Sequence, residues 1–207
     1  MTRCRQTSRR RCSPSTALRS SFWQCAARGF LRRNIGYVRM TIPPRERWSI
    51  SIEKDYLKFS SAHFLIFPDG TAERLHGHNY RVYVTVETEL DQHGLVVNFQ
   101  EIKPLVRKIC DGLDEHLLLP GQHPVLRAVA QADGNTEIRY MERRYSVPTN
   151  EVIVLPVTNT SAENLATWVG NQIRDRMRER WPTLRVVRLE VGIEETPGQR
   201  GSYSRED

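Results

Sequence analysis

The chain has 207 residues, enough for one substantial domain, and a formal net charge of +7 that is unevenly placed. Residues 1–39 hold ten arginines and no acidic residue, so the remainder carries 21 basic residues against 24 acidic ones, a net −3. That balance excludes the basic face of a nucleic-acid binder from the folded part, and no apolar run is long enough to span a membrane.

The tail, Met1 to Arg39, has the Arg/Ser-rich, acid-free composition of an organellar transit peptide. Met40 allows a second reading, in which translation starts there, and a disordered basic arm is the third. The segment is set apart from the fold, which is expected as one domain over residues 40–207. Cys4, Cys12 and Cys25 fall in the tail. Cys110 alone belongs to the domain, within a helical pattern that makes it a small buried hydrophobe. A domain without a disulfide framework suits a reducing compartment. The expectation is a cytoplasmic protein, or an organellar one if the tail is a transit peptide.

In chain order, Ser49–His63 reads as a strand with Leu57, Phe59, Ser61 and His63 on one phase. The run Phe67–Thr71, FPDGT, is a turn. A second strand spans about His76 to Leu90, with His76, His78, Tyr80, Val82, Val84 and Val86 sharing one side. Two histidines are thereby expected on the interior side, where an uncoordinated pair is costly. Asn98 and Glu101 resemble a helix cap, followed by Ile102, Leu105, Val106, Ile109 and Leu113 at helical spacing. Pro104 is awkward in that helix and places its regular start nearer Lys103.

Residues 120–156 form an irregular stretch in which Asp133-Gly134 suggests a hairpin between Val129 and Ile138, continuing to Val147. It reads as an insertion on the domain. Thr160–Glu163 is a capping box opening a helix with Leu165, Val169, Ile173 and Met177 on one stripe, ended by Trp181-Pro182. A last strand, Arg185–Thr196, puts Val187, Leu189, Val191, Ile193 and Glu195 on one phase, so that Glu195 is a carboxylate on the core side while Glu194 faces outward. A buried carboxylate needs a partner or a function. From Gly198 onward the residues read as a polar, loosely held terminus.

The chemistry concentrates in Phe59–Tyr80, FSSAHFLIFPDGTAERLHGHNY. Two histidines at i and i+2 on a strand project to one side, and His63 on an adjacent antiparallel strand closes the set. Three neutral imidazoles with one open position are the catalytic arrangement for zinc. One ion per subunit, held by His63, His76 and His78, is the expectation.

The runs FSSAHFLIF, LHGHNYRVYVTVE, GLVVNF, LDEHLLLP, NTSAENLA and VGIEETP, in this order over residues 49 to 203, resemble the 6-pyruvoyltetrahydropterin synthase / 6-carboxytetrahydropterin synthase family. The resemblance implies an α+β tunnelling fold, ββααββ, with an antiparallel four-stranded sheet and two helices on one face. It also implies homotrimers or homohexamers whose sheets form an oligomeric barrel, and a small-molecule pterin substrate, 7,8-dihydroneopterin triphosphate. By the same resemblance His63, His76 and His78 hold the zinc, Glu195 anchors the pterin through a bidentate contact, and Ser161 occupies a hydroxyl position at the pterin edge.

Two departures bear on the reaction. Where most of the family has a catalytic cysteine four residues before the first histidine of HGH, this chain has Ala72, with Glu73 beside it. The spacing E-x-x-H-G-H resembles a subgroup in which glutamate replaces the cysteine. That subgroup's product is 6-hydroxymethyl-7,8-dihydropterin, a folate precursor. In LDEHLLLP the family's Asp-His relay pair becomes Asp114-Glu115-His116, with His116 displaced by one. The expected activity is a zinc-dependent lyase giving 6-hydroxymethyl-7,8-dihydropterin, with Glu73, Asp114, Glu115 and His116 as candidate catalytic residues. The alternatives are 6-carboxy-5,6,7,8-tetrahydropterin synthase of queuosine synthesis, 6-pyruvoyltetrahydropterin synthase, or a catalytically degenerate pterin-binding protein.

Overall fold

A computed structural model describes residues 46–206. The basic tail with its three cysteines, and Met40, lie outside the described residues. Strand β1 (Trp48–His63) runs antiparallel to β2 (His76–Thr88), and a register shift between Glu53 and Lys58 marks a bulge in β1. Beyond that bulge Leu57, Phe59, Ser61 and His63 fall on the buried side, as the alternation requires. Helix α1 (Phe99–Asp111) follows, then β3 (His116–Pro120), β4 (Arg127–Ala130), β5 (Asn135–Tyr140), β6 (Arg143–Pro148) and β7 (Val152–Leu155). Helix α2 (Ala162–Arg180), β8 (Val186–Thr196) and β9 (Gln199–Glu206) complete the chain.

The expected antiparallel quartet is present as β1-β2-β8-β9, but it is part of a wider sheet. Six strands run in the order β7-β3-β1-β2-β8-β9, and the β1–β3 and β3–β7 pairs are parallel, so the sheet is mixed. One extra strand, β3, lies just ahead of the segment read as an insertion, which itself supplies β7 to the main sheet and forms a separate three-stranded sheet, β4-β5-β6, rather than a single hairpin.

Both helices cover one face of the sheet. Ile102, Val106 and Ile109 of α1 join Leu165, Val169 and Ile173 of α2 over Tyr80, Val82, Val84, Leu189, Val191 and Ile193. On the opposite face of β3, Leu117 and Leu119 pack with Phe64, Ile66, Leu126, Ile138 and Tyr140, while Leu118 between them joins the helix-covered core. Successive side chains of a strand point to opposite faces, so β3 is buried on both.

Three local expectations are corrected. Helix α1 starts at Phe99 and carries Pro104 inside it, because the Asn98 side chain accepts the Gln100 N–H and the apolar stripe continues through the proline. The missing Pro104 donor costs one helical bond that the buried stripe outweighs. The cap of α2 is Ser161, one residue later than the capping box, and it accepts the N–H of Asn164. Thr160 is instead fully buried, its hydroxyl donating to the Phe64 carbonyl at 3.4 Å. The residues after Gly198 are not a loose terminus but strand β9, paired along β8. Gly201 allows that strand to press against the start of α2, since a Cβ there would lie 2.7 Å from Ala162 and Glu163 backbone atoms.

Candidate metal centre and adjoining pocket

The β1–β2 register places His63 directly opposite His76 at the loop end of the hairpin, with His78 two residues further along β2. The three rings stand with centroids 4.8 to 5.2 Å apart, and one ligand atom from each lies within 4.8 Å of the others. His63 is buried, but His76 is exposed and His78 only partly covered. The interior placement expected for the strand pair is therefore corrected. Their phase is the core phase, yet they lie beyond the end of the apolar packing that covers Tyr80 and Val82.

The donor set fits a metal ion. The Nδ1–H of His63 donates to the Thr160 carbonyl at 3.0 Å, and that of His76 donates to the Arg74 carbonyl at 2.8 Å. A carbonyl only accepts, so these bonds set the tautomer and leave each Nε2 lone pair toward the cluster, the usual outer-shell support of metal-ligating histidines. His63 Nε2 is buried with no hydrogen-bond partner among the described residues. Burial, more than the neighbouring histidines, drops the His63 pKa to about 4, which keeps the ring neutral at physiological pH.

Glu73 arrives from the turn between the two strands. Its N–H donates to the Leu65 carbonyl at 3.0 Å, and its Oε2 accepts the Leu65 N–H at 3.1 Å. This double tie holds the carboxylate 3.9 Å from His76 Nε2. Beside the cluster, Glu195 shares a cavity of about 410 Å³ with Leu65, Ser161, Glu163 and Arg200. Glu195 Oε1 is buried without a hydrogen-bond partner among the described residues. Desolvation first, then the charges of Glu73 and Glu163, raise its pKa. Glu194 points the other way, its Oε2 accepting the Tyr83 hydroxyl at 2.6 Å. Tyr80, fully buried and stacked on Phe59, stands edge-on to His63 and His78, and its hydroxyl also lacks a partner among the described residues.

The remaining candidates lie on a second side. Asp114 Oδ1 accepts the Ser60 N–H at 2.6 Å, and the Glu115 N–H donates to the Ser60 carbonyl at 2.7 Å, stitching the start of β3 to β1. Glu115 itself is exposed and adopts a left-handed φ of 59°. His116 pairs in register with Ser61 and lines a cavity of about 490 Å³ with His78, Asn79 and Glu115. The structure thus gathers His63, His76, His78 and Glu73, puts Glu195 and Ser161 on one flank, and puts His116 on the other. Tyr80 was missed as a site residue. The HGHNY run contains it on the histidine phase, but its apolar ring reads as core.

An antiparallel strand pair that gathers three imidazoles, beside a pocketed carboxylate, offers the donor set of a metal centre of the open, catalytic kind. The chain belongs to the 6-pyruvoyl tetrahydropterin synthase family, whose model matches residues 51–206. A putative 6-carboxy-5,6,7,8-tetrahydropterin synthase of Methanocaldococcus jannaschii is 36% identical over 152 residues, 72% of this chain and 90% of that protein. The Bacillus subtilis 6-carboxy-5,6,7,8-tetrahydropterin synthase is 35% identical over 108 residues, 51% of this chain and 61% of that protein. Among solved structures, Plasmodium vivax 6-pyruvoyltetrahydropterin synthase matches with a TM-score of 0.73 at 28% identity, over 79% of this chain and all of that one, in a variant with a catalytic glutamate replaced by alanine. Among the described residues no helix is long and apolar enough to cross a membrane.

Proposed function

We propose that this chain is a zinc-dependent lyase acting on 7,8-dihydroneopterin triphosphate, with Glu73 as the proton acceptor. One observation carries the reading. The Glu73 carboxylate stands at the rim of the histidine cluster, whereas Cys110 is buried in α1 with its thiol pushed up to about 12 by burial. Cys110 is the one free cysteine of the described residues, and none of these residues offers a reactive thiol for the reaction.

His63, His76 and His78 would hold the zinc, which when bound makes a contacting hydroxyl far more acidic. Glu195 would accept the donors on the guanidine-like edge of the pterin, with the Ser161 hydroxyl beside it, and so set the side chain's position relative to Glu73. Leu65 N–H holds the Glu73 carboxylate on that side, ready to take the proton of a side-chain hydroxyl. Loss of that proton from the hydroxyl of the second side-chain carbon drives cleavage of its bond to the first: the triphosphate-bearing fragment leaves as an aldehyde, and the first carbon takes up a proton to give 6-hydroxymethyl-7,8-dihydropterin. Asp114 is committed to Ser60, which leaves His116 as the proton carrier available on the far flank. The catalytic glutamate of the Plasmodium vivax neighbour supports a glutamate-based reaction. By family, the working unit is a homotrimer or homohexamer.

A second product has its own support. The curated relatives are named 6-carboxy-5,6,7,8-tetrahydropterin synthases, and by their names that product is favoured over the folate precursor. Incubating zinc-loaded protein with 7,8-dihydroneopterin triphosphate and weighing the product by mass spectrometry decides between the two. Glu73→Gln is expected to cut turnover by about 10²- to 10⁴-fold, the usual worth of a positioned acid–base group. Unchanged turnover in that variant removes Glu73 from the mechanism. Zinc-loaded wild-type protein that binds pterin without converting the substrate removes the enzyme reading altogether.

A further inference from the structure

The segment Leu65–Arg74, which carries Glu73, is tied to itself by the Ile66–Ala72 bridge and the two Leu65–Glu73 bonds. Ile66 packs in the apolar core beneath the β4-β5-β6 sheet, and the segment's polar hold on the rest of the domain comes from two places. Asn159 brackets Ile66, its Nδ2 donating to the Ile66 carbonyl at 2.9 Å and its Oδ1 accepting the Ile66 N–H at 3.3 Å. The other hold comes from the tip of the β5–β6 hairpin. Tyr140 and Arg143 are direct cross-strand partners there, so both side chains leave the hairpin on one side. The Tyr140 hydroxyl donates to the Gly70 carbonyl at 2.8 Å. The Arg143 guanidinium spans two successive carbonyls, Nη2 donating to Ala72 at 2.6 Å and Nη1 to Glu73.

Two further features argue that this contact is more than anchorage for the hairpin. Ile138, Tyr140, Leu126, Leu117 and Phe64 already bury that sheet in its own apolar core. The two residues between Tyr140 and Arg143 make the tightest possible connection, and they do so with Met141 at φ 49°, a conformation side-chain-bearing residues rarely adopt. Met141 is 61% exposed, so its own burial does not hold it there. A two-residue hairpin turn itself demands φ > 0 at its first central residue, and here a residue bearing a side chain meets that demand where the turn delivers Tyr140 and Arg143 together.

We infer that Arg143 is a positioning residue: the β5–β6 hairpin, through Arg143 and with Tyr140 in support, fixes the backbone of Ala72 and Glu73 so that the Glu73 carboxylate keeps its place beside the histidines. The inference rests on the reading of Glu73 as the proton acceptor. Its chemistry is that of a fork bridging two carbonyls, which a lysine ammonium reproduces only in part. A displacement of about 1 Å at a reacting group costs on the order of 10²-fold in rate, so a backbone clamp at this point acts on turnover rather than on substrate binding.

The test uses the zinc-loaded full chain with 7,8-dihydroneopterin triphosphate and compares Arg143→Met, Arg143→Lys and Tyr140→Phe. Arg143→Met is expected to lower kcat by roughly 10- to 100-fold with KM changed by less than about twofold, and added guanidinium restores part of the loss. Amide hydrogen exchange in the same variant is expected to quicken at Ala72 and Glu73 while β1, β2 and α2 keep their protection. Tyr140→Phe gives a smaller effect of the same kind, and Arg143→Lys carries the test if Arg143→Met does not fold. Wild-type kcat together with unchanged exchange at Ala72 and Glu73 overturns the inference, as does exchange that quickens across the whole β4-β5-β6 sheet. Glu73→Gln, run alongside, separates the two readings. If Glu73→Gln is inactive and Arg143→Met is as active as wild type, only the clamp fails. If Glu73→Gln keeps full turnover, the acceptor reading fails, and the exchange data alone decide whether Arg143 fixes this backbone.

Discussion

Glu195 offers a prediction in which stability and binding move in opposite directions. In the free protein its Oε1 is buried without a donor, next to the negative charges of Glu73 and Glu163. An unsatisfied buried acceptor of this kind costs about 1–3 kcal/mol. The neutral isostere Glu195→Gln relieves part of that cost, by about 1 kcal/mol, which for a domain of this size raises Tm by about 2–4 °C. With Glu195 as the proposed pterin anchor, the same change replaces one charge-assisted bond to the pterin by an opposed donor. At about 1.5–3 kcal/mol for a bond to a charged group, pterin affinity falls roughly 10- to 150-fold. The pH dependence has a definite sign. The folded-state pKa is raised, so the folded protein holds the proton more tightly than the unfolded chain, and wild-type stability falls as pH rises from the ordinary carboxylate value through the raised one. The stability advantage of Glu195→Gln is therefore small near pH 4 and full at pH 7. Calorimetry of the metal-free protein at both pH values, and titration of the zinc-loaded protein with a fluorescent pterin, measure the two halves. A Glu195→Gln variant that binds pterin as wild type does, or that is less stable at pH 7, refutes the reasoning.

The remaining predictions concern His63, a proposed metal ligand, and the last strand. His63 in the metal-free protein is held neutral with a pKa of about 4 against 6.5 unfolded. Its contribution is complete above pH 6.5 and is lost as pH falls toward 4, about 3 kcal/mol in all, with the opposite sign to Glu195. Urea denaturation of metal-free protein at pH 7 and pH 4.5 is expected to reveal this loss in wild type and not in His63→Leu. Gly201→Ala would drive a Cβ to within 2.7 Å of the α2 backbone, so strand and helix must separate. Overpacking of this kind costs about 1–3 kcal/mol, a Tm lowered by about 2–12 °C, and an unchanged Tm would show that β9 has more room than its contacts with α2 allow.

The sequence was most legible where burial is one-sided. In β1, β2 and β8 the alternation picks out the core phase correctly, and the α2 stripe of Leu165, Val169, Ile173 and Met177 is buried throughout. Strand β9 was invisible because only Gly201 is buried in it, with Tyr203 partly so, and neither supplies a period. Strand β3 escaped for the opposite reason: Leu117, Leu118 and Leu119 are all buried, on alternating faces, and an unbroken apolar run has no phase to read. The widening of the sheet from four strands to six follows directly from that gap. In the site, the histidines and Glu73 could be found because their spacing is local. Arg143 could not, because its partners are backbone carbonyls about seventy positions earlier, and a carbonyl leaves no trace in residue type.

The β1–β2 hairpin carries one further consequence, for the order in which the molecule is built. His63, His76 and His78 all belong to this single hairpin, whose strands are joined by the twelve residues 64–75. The carboxylate that flanks them waits for β8, which pairs with β2 only after both helices and the whole β3–β7 segment have been made. Loop closure over a short span is entropically cheap and fast, whereas a distant pairing is late. A nascent chain can therefore present all three imidazoles before the pocket beside them exists. An ion captured at that stage would cross-link the first two strands and act as a template on which the rest of the sheet is laid.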